Sequence, residues 1–148
     1  MLRLSTKGRY GTRAMLELAI SEGNKPVLLR EIAESQGISL KYLEQIIPSL
    51  KSAGLVNSSR GASGGYSLAK PTEEITIKEI VEALEGPLKL VDCIGDPGFC
   101  QEADQCVTRD LWDEVSLSIS KLLESKTLES LAQKYKDKQK SRPLMYSI

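Results

Sequence analysis

Within residues 29–69 the chain reads helix, short turn, helix, then two short strands around a glycine-rich tip, an order that few folds accommodate. Leu29 to Gln36 has the spacing of a short helix burying Ile32 and Ala33. Gly37 suits the left-handed position that ends a helix, since it has no Cβ to clash. Ser39 then offers an N-cap for a third helix, Leu40 to Ser52, with a core stripe of Leu40, Leu43, Ile47 and Leu50. Inside it Pro48 removes the hydrogen bond to the Glu44 carbonyl, which predicts a kink. Leu55 to Ser59 and Gly65 to Ala69 read as strands, and Arg60-Gly61-Ala62-Ser63-Gly64 as the tip between them. A helix-turn-helix followed at once by a hairpin is the winged-helix arrangement.

The flanking segments are helical too. Tyr10 to Ser21 carries Ala14, Met15, Leu18 and Ala19 on one face, and Gly23, Asn24 and Pro26 stop it. Thr76-Ile77-Lys78-Glu79 is a capping box that opens a fourth helix, burying Ile77, Ile80, Val81 and Leu84, and Gly86-Pro87 closes it. A longer helix begins near Thr108. Its Leu111, Trp112, Val115, Ile119, Leu122 and Leu123 fall within one third of the circumference, too wide an apolar face for a helix left alone in water. That face predicts a homodimer. A last helix follows Lys126, with Leu128, Leu131, Ala132 and Tyr135 on one side. The expected fold class is mainly α: a winged helix-turn-helix DNA-binding domain plus a long C-terminal dimerisation helix. The expected divisions are 1–86 for the winged-helix domain, 87–107 for a cysteine-containing loop, 108–137 for the dimerisation and C-terminal helices, and 138–148 for a flexible basic tail.

The net charge of zero conceals an asymmetry. Residues 1–70 hold ten Lys/Arg against five Asp/Glu, residues 71–129 five against fourteen, and residues 130–148 five against one. A basic N-terminal half beside an acidic middle points to double-stranded DNA as a partner of the first part. On the third helix, Lys41, Tyr42, Glu44 and Gln45 lie away from the core stripe, next to the capping Ser39. Gln pairs bidentately with adenine, a carboxylate accepts from cytosine, and Lys holds phosphates or base edges. Arg60 and Gly61 at the hairpin tip are placed for a minor groove, and Lys7, Arg9 and Arg13 for phosphates. A merely solvated helix face is the plain alternative, and the order of elements together with the basic bias outweighs it. No apolar run approaches the roughly 20 residues that span a bilayer. The basic Met1–Arg13 segment lacks the apolar core of a signal peptide, so the expected location is cytoplasmic.

The chain has three cysteines, Cys93, Cys100 and Cys106, and no histidine. All three fall in one loop broken by Gly95, Pro97 and Gly98, which let it fold back on itself. An odd count in a reducing compartment argues against structural disulfides. Thiolates favour soft metals, so zinc and iron–sulfur clusters both fit, as do a redox thiol switch and buried free thiols. A cysteine nucleophile normally needs an adjacent base such as histidine, so no enzyme is expected.

Taken together these segments resemble the IscR-like iron–sulfur-sensing winged-helix regulators. The resemblance rests on Leu4-Ser5-Thr6-Lys7-Gly8-Arg9-Tyr10, on Gly37 through Gln45, on Arg60 through Tyr66, and on the cysteine loop leading into Leu111-Trp112. It covers about Leu2 to Leu131. It implies a homodimer paired through the helix from Thr108, with one [2Fe–2S] cluster per subunit on Cys93, Cys100 and Cys106, supplied by the cluster assembly machinery. It further implies that Glu44 discriminates between sites, that Arg60 enters the minor groove, and that the genes controlled concern cluster biogenesis. In that family the fourth ligand is a histidine three residues after the last cysteine. Here that position is Arg109, which leaves Asp92, Glu102, Asp104, Asp110 or an external group as candidates. A nitric-oxide-sensing branch takes an acidic ligand just before the first-helix tyrosine, where this chain has Arg9. Cysteine-metabolism regulators of this fold lack the triad. The alternatives to cluster sensing are a nitric-oxide or redox sensor of the same fold and a zinc or thiol switch.

Overall fold

The structure is a computed structural model that describes residues 2–21, 25–96 and 98–143. Gly23, Asn24, Pro97 and the tail from residue 144 onward, all used in the sequence reading, lie outside the described residues. Six helices and one hairpin follow in the order α1 (Thr6–Ile20), α2 (Leu29–Gln36), α3 (Leu40–Ser52), β1 (Val56–Ser59), β2 (Gly65–Leu68), α4 (Ile77–Glu85), α5 (Val107–Glu124) and α6 (Leu128–Lys140). Among the described residues no helix is long and apolar enough to cross a membrane.

Local signals fix the bounds of α2, α3 and α4. Gly37 ends α2 at φ +62°, and its N–H reaches back to the Ala33 and Glu34 carbonyls. The Ser39 hydroxyl accepts from the Tyr42 N–H at 3.3 Å and opens α3. At α4 the Thr76 hydroxyl accepts from the Glu79 N–H at 3.1 Å, and the Glu79 carboxylate accepts from the Thr76 N–H at 2.9 Å. Two bounds differ from expectation. Helix α1 starts at Thr6, a turn before Tyr10, because Ser5 caps it by accepting from the Gly8 N–H at 3.2 Å. Helix α6 runs to Lys140, so residues 138–140 of the expected basic tail form its last turn.

One core holds these elements together. Ala14, Met15, Ile32, Leu43, Ile46, Leu50, Leu55, Ile75, Ile80 and Leu128 are buried in a single cluster. The α3 stripe differs from the expected one by losing its first residue and gaining one in the middle. Leu40 is 40% exposed, whereas Ile46, absent from the expected stripe, is 1% exposed. Leu40 occupies the first helical position, where the chain is still leaving the turn. Helix α3 passes through Pro48 without interruption.

The hairpin pairs Val56 with Leu68 and Ser59 with Gly65, antiparallel. It gains a third partner in Val27, which exchanges two 2.8 Å hydrogen bonds with Tyr66. Gly65 permits this approach, since a Cβ there would stand 2.6 Å from the Val27 carbonyl oxygen. Helix α6 is stitched to α4 through Ile77 N–H to Lys126 O and Leu128 N–H to Ile75 O, each 2.8 Å.

Burial opposes ionisation of Glu79, but hydrogen bonds from Lys70 and Thr76 outweigh it and hold the carboxyl below its usual range. A carboxyl lowered in the folded state stabilises above its unfolded pKa, and that contribution is lost as the pH falls through its folded value. Glu79→Gln should therefore lower Tm at neutral pH. The gap to wild type should close in acid, as seen by thermal melts across the carboxylate range; a pH-independent gap would mean that the charge contributes nothing.

Candidate functional site

Two surfaces collect the residues singled out above. The first is the outer face of α3 with the hairpin tip beside it. Ser39, Lys41, Glu44 and Gln45 are exposed on α3, and Tyr42 is half-buried. Arg60 and Gly61 are exposed at the tip, where Gly61 adopts φ +97°. The Gly64 N–H closes the tip onto the Gly61 carbonyl at 3.0 Å. The Lys51 ammonium donates to the Ser58 hydroxyl at 2.9 Å and so fastens α3 to the first strand. All seven sequence-predicted residues of this surface therefore lie on one helix and the adjoining hairpin tip.

Of the three cations expected on phosphates, Arg13 is engaged within the protein. Its guanidinium donates to the Gln36 side-chain oxygen at 3.1 Å and to the Gln36 carbonyl. No local sequence signal announces a contact between residues 23 positions apart.

The second surface is the cysteine loop. All three cysteines are free thiols; Cys93 and Cys106 are half-buried and Cys100 is exposed. Cys106 is the N-cap residue of α5, and its sulfur lies 3.3 Å from the Thr108 hydroxyl. That hydroxyl, and then the Arg109 backbone N–H, lower the Cys106 pKa toward the thiolate, the form that ligates metals. Among the described residues, however, no group of three or more cysteine or acidic side chains is gathered as a ligand set. Asp92, Glu102, Asp104 and Asp110 are all exposed around the loop.

Arg109, in the first turn of α5, is half-buried against the loop. Its Nε donates to the Cys93 carbonyl at 3.3 Å and its Nη1 to the Ala103 carbonyl at 3.5 Å. It thus ties both limbs of the loop to the first turn of α5. Farther along α5 the buried Ser116 hydroxyl accepts from the Leu90 N–H at 3.1 Å, anchoring the start of the loop. Elsewhere along α5 large apolar side chains are open, with Leu111, Trp112 and Leu122 exposed by 48%, 41% and 59%.

The model of the Rrf2 family, described as iron-dependent transcriptional regulators, matches residues 4–134. The chain belongs to the Rrf2 family. An HTH-type transcriptional regulator IscR from Photorhabdus laumondii is 44% identical over 130 residues, 88% of this chain and 79% of that protein. Among solved structures, T. potens IscR is 41% identical with TM-score 0.77, covering 99% of this chain and 97% of that one. CymR, the global cysteine regulator of B. subtilis, is 42% identical with TM-score 0.74, covering 90% and 98%. This Rrf2 protein is thus a winged-helix transcriptional regulator, and the family places DNA among its partners.

Removing the Arg109 guanidinium frees both loop limbs from α5. In metal-free protein Arg109→Ala should raise protease cutting between residues 93 and 105 by about fivefold or more, as local opening becomes easier. Its global melting temperature should stay near wild type. Unchanged cutting would show that the two hydrogen bonds do not hold the loop.

Proposed function

We propose that this protein is a homodimeric DNA-binding regulator that senses an iron–sulfur cluster and controls genes of cluster biogenesis. The observation that carries this reading is the placement of all three thiols in one loop between the winged-helix core and the open apolar face of α5. The donor chemistry fits a [2Fe–2S] cluster: three free thiols, one of them biased toward thiolate. Cys93, Cys100 and Cys106 would hold it, and the loop would have to draw them together on binding. Arg109 is a poor fourth ligand because a guanidinium offers donors and no acceptor, and this one already serves two carbonyls. The fourth ligand is then one of Asp92, Glu102, Asp104 and Asp110, or an external group. The similarity to IscR-named proteins supports the reading, and the cluster assembly machinery is the donor it requires.

A second reading, in which the loop is a zinc or thiol switch, draws on the absence of a pre-gathered ligand set among the described residues, which suits a thiol switch; zinc, like the cluster, would need the thiols drawn together. Both readings place the protein among regulators rather than enzymes, working in the cytoplasm.

Protein purified without oxygen should contain iron and acid-labile sulfide, absorb in the visible, and sediment as a dimer. Single Cys-to-Ser substitutions at 93, 100 and 106 should each abolish the visible absorption. Zinc without sulfide would establish the second reading instead, and a stable folded monomer would remove the dimer.

In the proposed complex Ser39, Lys41, Tyr42, Glu44 and Gln45 meet the major groove, and Arg60 with Gly61 the minor groove. Gln45→Ala should relax preference at one base position by about 1–3 kcal/mol. Glu44→Ala should broaden the set of duplexes bound, because a carboxylate repels base edges that offer only acceptors. Selection from a randomised duplex library measures both; unaltered preferences in both variants would move base reading to another surface.

A further inference from the structure

Tyr10, Arg13 and Glu17 lie on α1 at spacings of three and four, so they share one face of that helix. That face meets the α2–α3 turn. The Tyr10 ring packs edge-on against the Tyr42 ring, with centroids 5.7 Å apart and planes at 88°. This is the favoured T-shaped geometry of aromatic pairs. The Arg13 guanidinium carbon lies 5.5 Å from the Tyr10 centroid, within cation–π range, and Arg9 lies at 5.9 Å. Arg13 also donates to the Gln36 carbonyl, one of the carbonyls that the end of α2 leaves without an intrahelical partner. The Gln36 amide in turn donates to the Glu17 carboxylate at 2.6 Å.

These contacts connect three helices at the point that decides where the base-reading side chains stand. Only Gly37, Ile38 and Ser39 separate α2 from α3. Tyr42 sits in the first turn of α3, between Lys41 and the Glu44–Gln45 pair. A rotation of α3 about its axis must swing the Tyr42 ring past Tyr10, and a tilt of α2 must break the Arg13–Gln36 pair. Recognition by a rigid element needs its side chains held within about 0.5 Å and 10–20°.

We infer that Tyr10 and Arg13 are positioning residues for sequence discrimination, setting the pose of α3 through Tyr42 and Gln36 rather than contacting DNA phosphates. The inference rests on α3 being the base-reading helix. It separates two roles that give opposite results. A phosphate-contacting arginine contributes about one unit to the slope of log K against log salt and acts alike on all sequences. A positioning arginine leaves that slope alone and changes the ratio of specific to non-specific binding.

The test uses the full-length protein, a duplex that the wild type enriches from a randomised library, and a scrambled duplex of equal length. Tyr10→Leu keeps an apolar filler but removes the ring, and Tyr10→Phe keeps the ring without the hydroxyl. Arg13→Gln removes both the cation and the bond to the α2 terminus at an exposed site, where folding is tolerant. Expected for Tyr10→Leu and Arg13→Gln is a fall of about three- to tenfold in the specific-to-scrambled ratio. The salt slope of Arg13→Gln should match wild type, and Tyr10→Phe should behave as wild type throughout. A drop of about one unit in the Arg13→Gln slope would restore the phosphate role and overturn the inference. So would a Tyr10→Phe defect as large as that of Tyr10→Leu, which would mean that the hydroxyl meets the duplex. Ratios unchanged in folded Arg13→Gln and Tyr10→Leu would overturn it as well. If Tyr10→Leu does not fold, Arg13→Gln decides alone. Failure of the wild type to enrich any sequence would overturn the base-reading role itself, and this inference with it.

Discussion

Helix α1 lies close against α4, with the bare backbone of Gly11 facing the buried Leu84 and that of Gly8 facing the Glu85 side chain. A Cβ at Gly11 would stand 2.1 Å from Leu84 Cδ1, and one at Gly8 2.3 Å from Glu85 Oε1. The close approach lets the Ser5 N–H donate to the Glu85 carboxylate at 2.8 Å, so the start of α1 and the end of α4 are locked together. It also drives Ala14 and Met15 to complete burial, next to Leu43, Leu50 and Ile80. Interiors pack at crystal-like density, so a helix held this closely on one side has little freedom on the others. Helix α1 packs in addition on α2, α3, α6 and the second strand. It is the element against which α3, the hairpin and the C-terminal helix are all packed.

The consequence for recognition is mechanical. The outer face of α3 is polar and exposed, and nothing in its own side chains fixes how it is presented. Its inner face, Leu43, Ile46, Ile47 and Leu50, sets its depth in the core. Its rotation and tilt are set at the ends. Tyr10 and Gln36 act at the start, and the Lys51–Ser58 hydrogen bond joins the last turn to the hairpin. The end of α3 and the first strand are thereby joined.

Where structure is written in short-range chemistry, the sequence was readable. The spans of α2 and α3 follow from the left-handed Gly37 and the capping Ser39, and the α4 capping box follows from four consecutive residues. The start of α1 at Thr6 is less legible, because glycine at 8 and 11 disfavours a helix by propensity and the surface these residues pack on, α4, lies some 70 residues away. Leu40 was placed in the core by periodicity alone, and periodicity does not register that a helix end is peeling away from its neighbour. The charge of Arg13 is visible in the sequence, whereas its bond to Gln36, 23 residues off, is not. The cysteine loop shows the same limit. Three thiols in one loop announce soft-metal chemistry, but whether they stand together depends on what Arg109 and Ser116 do to the loop, and both act through backbone carbonyls and amides.

That loop and α3, the proposed reading helix, lie at opposite ends of one packed series. The loop is tied to α5 by Arg109 and Ser116; the α5–α6 junction is bonded to the start of α4 at Ile77; α4 lies on the glycine face of α1; and α1 holds the start of α3. The links nearest the loop are hydrogen bonds of 3.1–3.5 Å made by a half-buried arginine and a serine. Those nearest α3 are the half-buried Tyr10–Tyr42 pair and the core packing of Met15 and Leu43. Ligand-driven rearrangement falls where local stability is lowest, which here is the loop and its hold on α5. In the proposed dimer, α5 carries the open apolar face that would meet a second copy. A loop drawn in around a cluster would then shift α5 against α4 before it deformed the winged helix. Such a shift changes the distance between two reading helices while leaving the shape of each intact. Half-site spacing on DNA is a fixed geometric quantity, so a change in that distance alters which sites are bound without altering which bases each half reads.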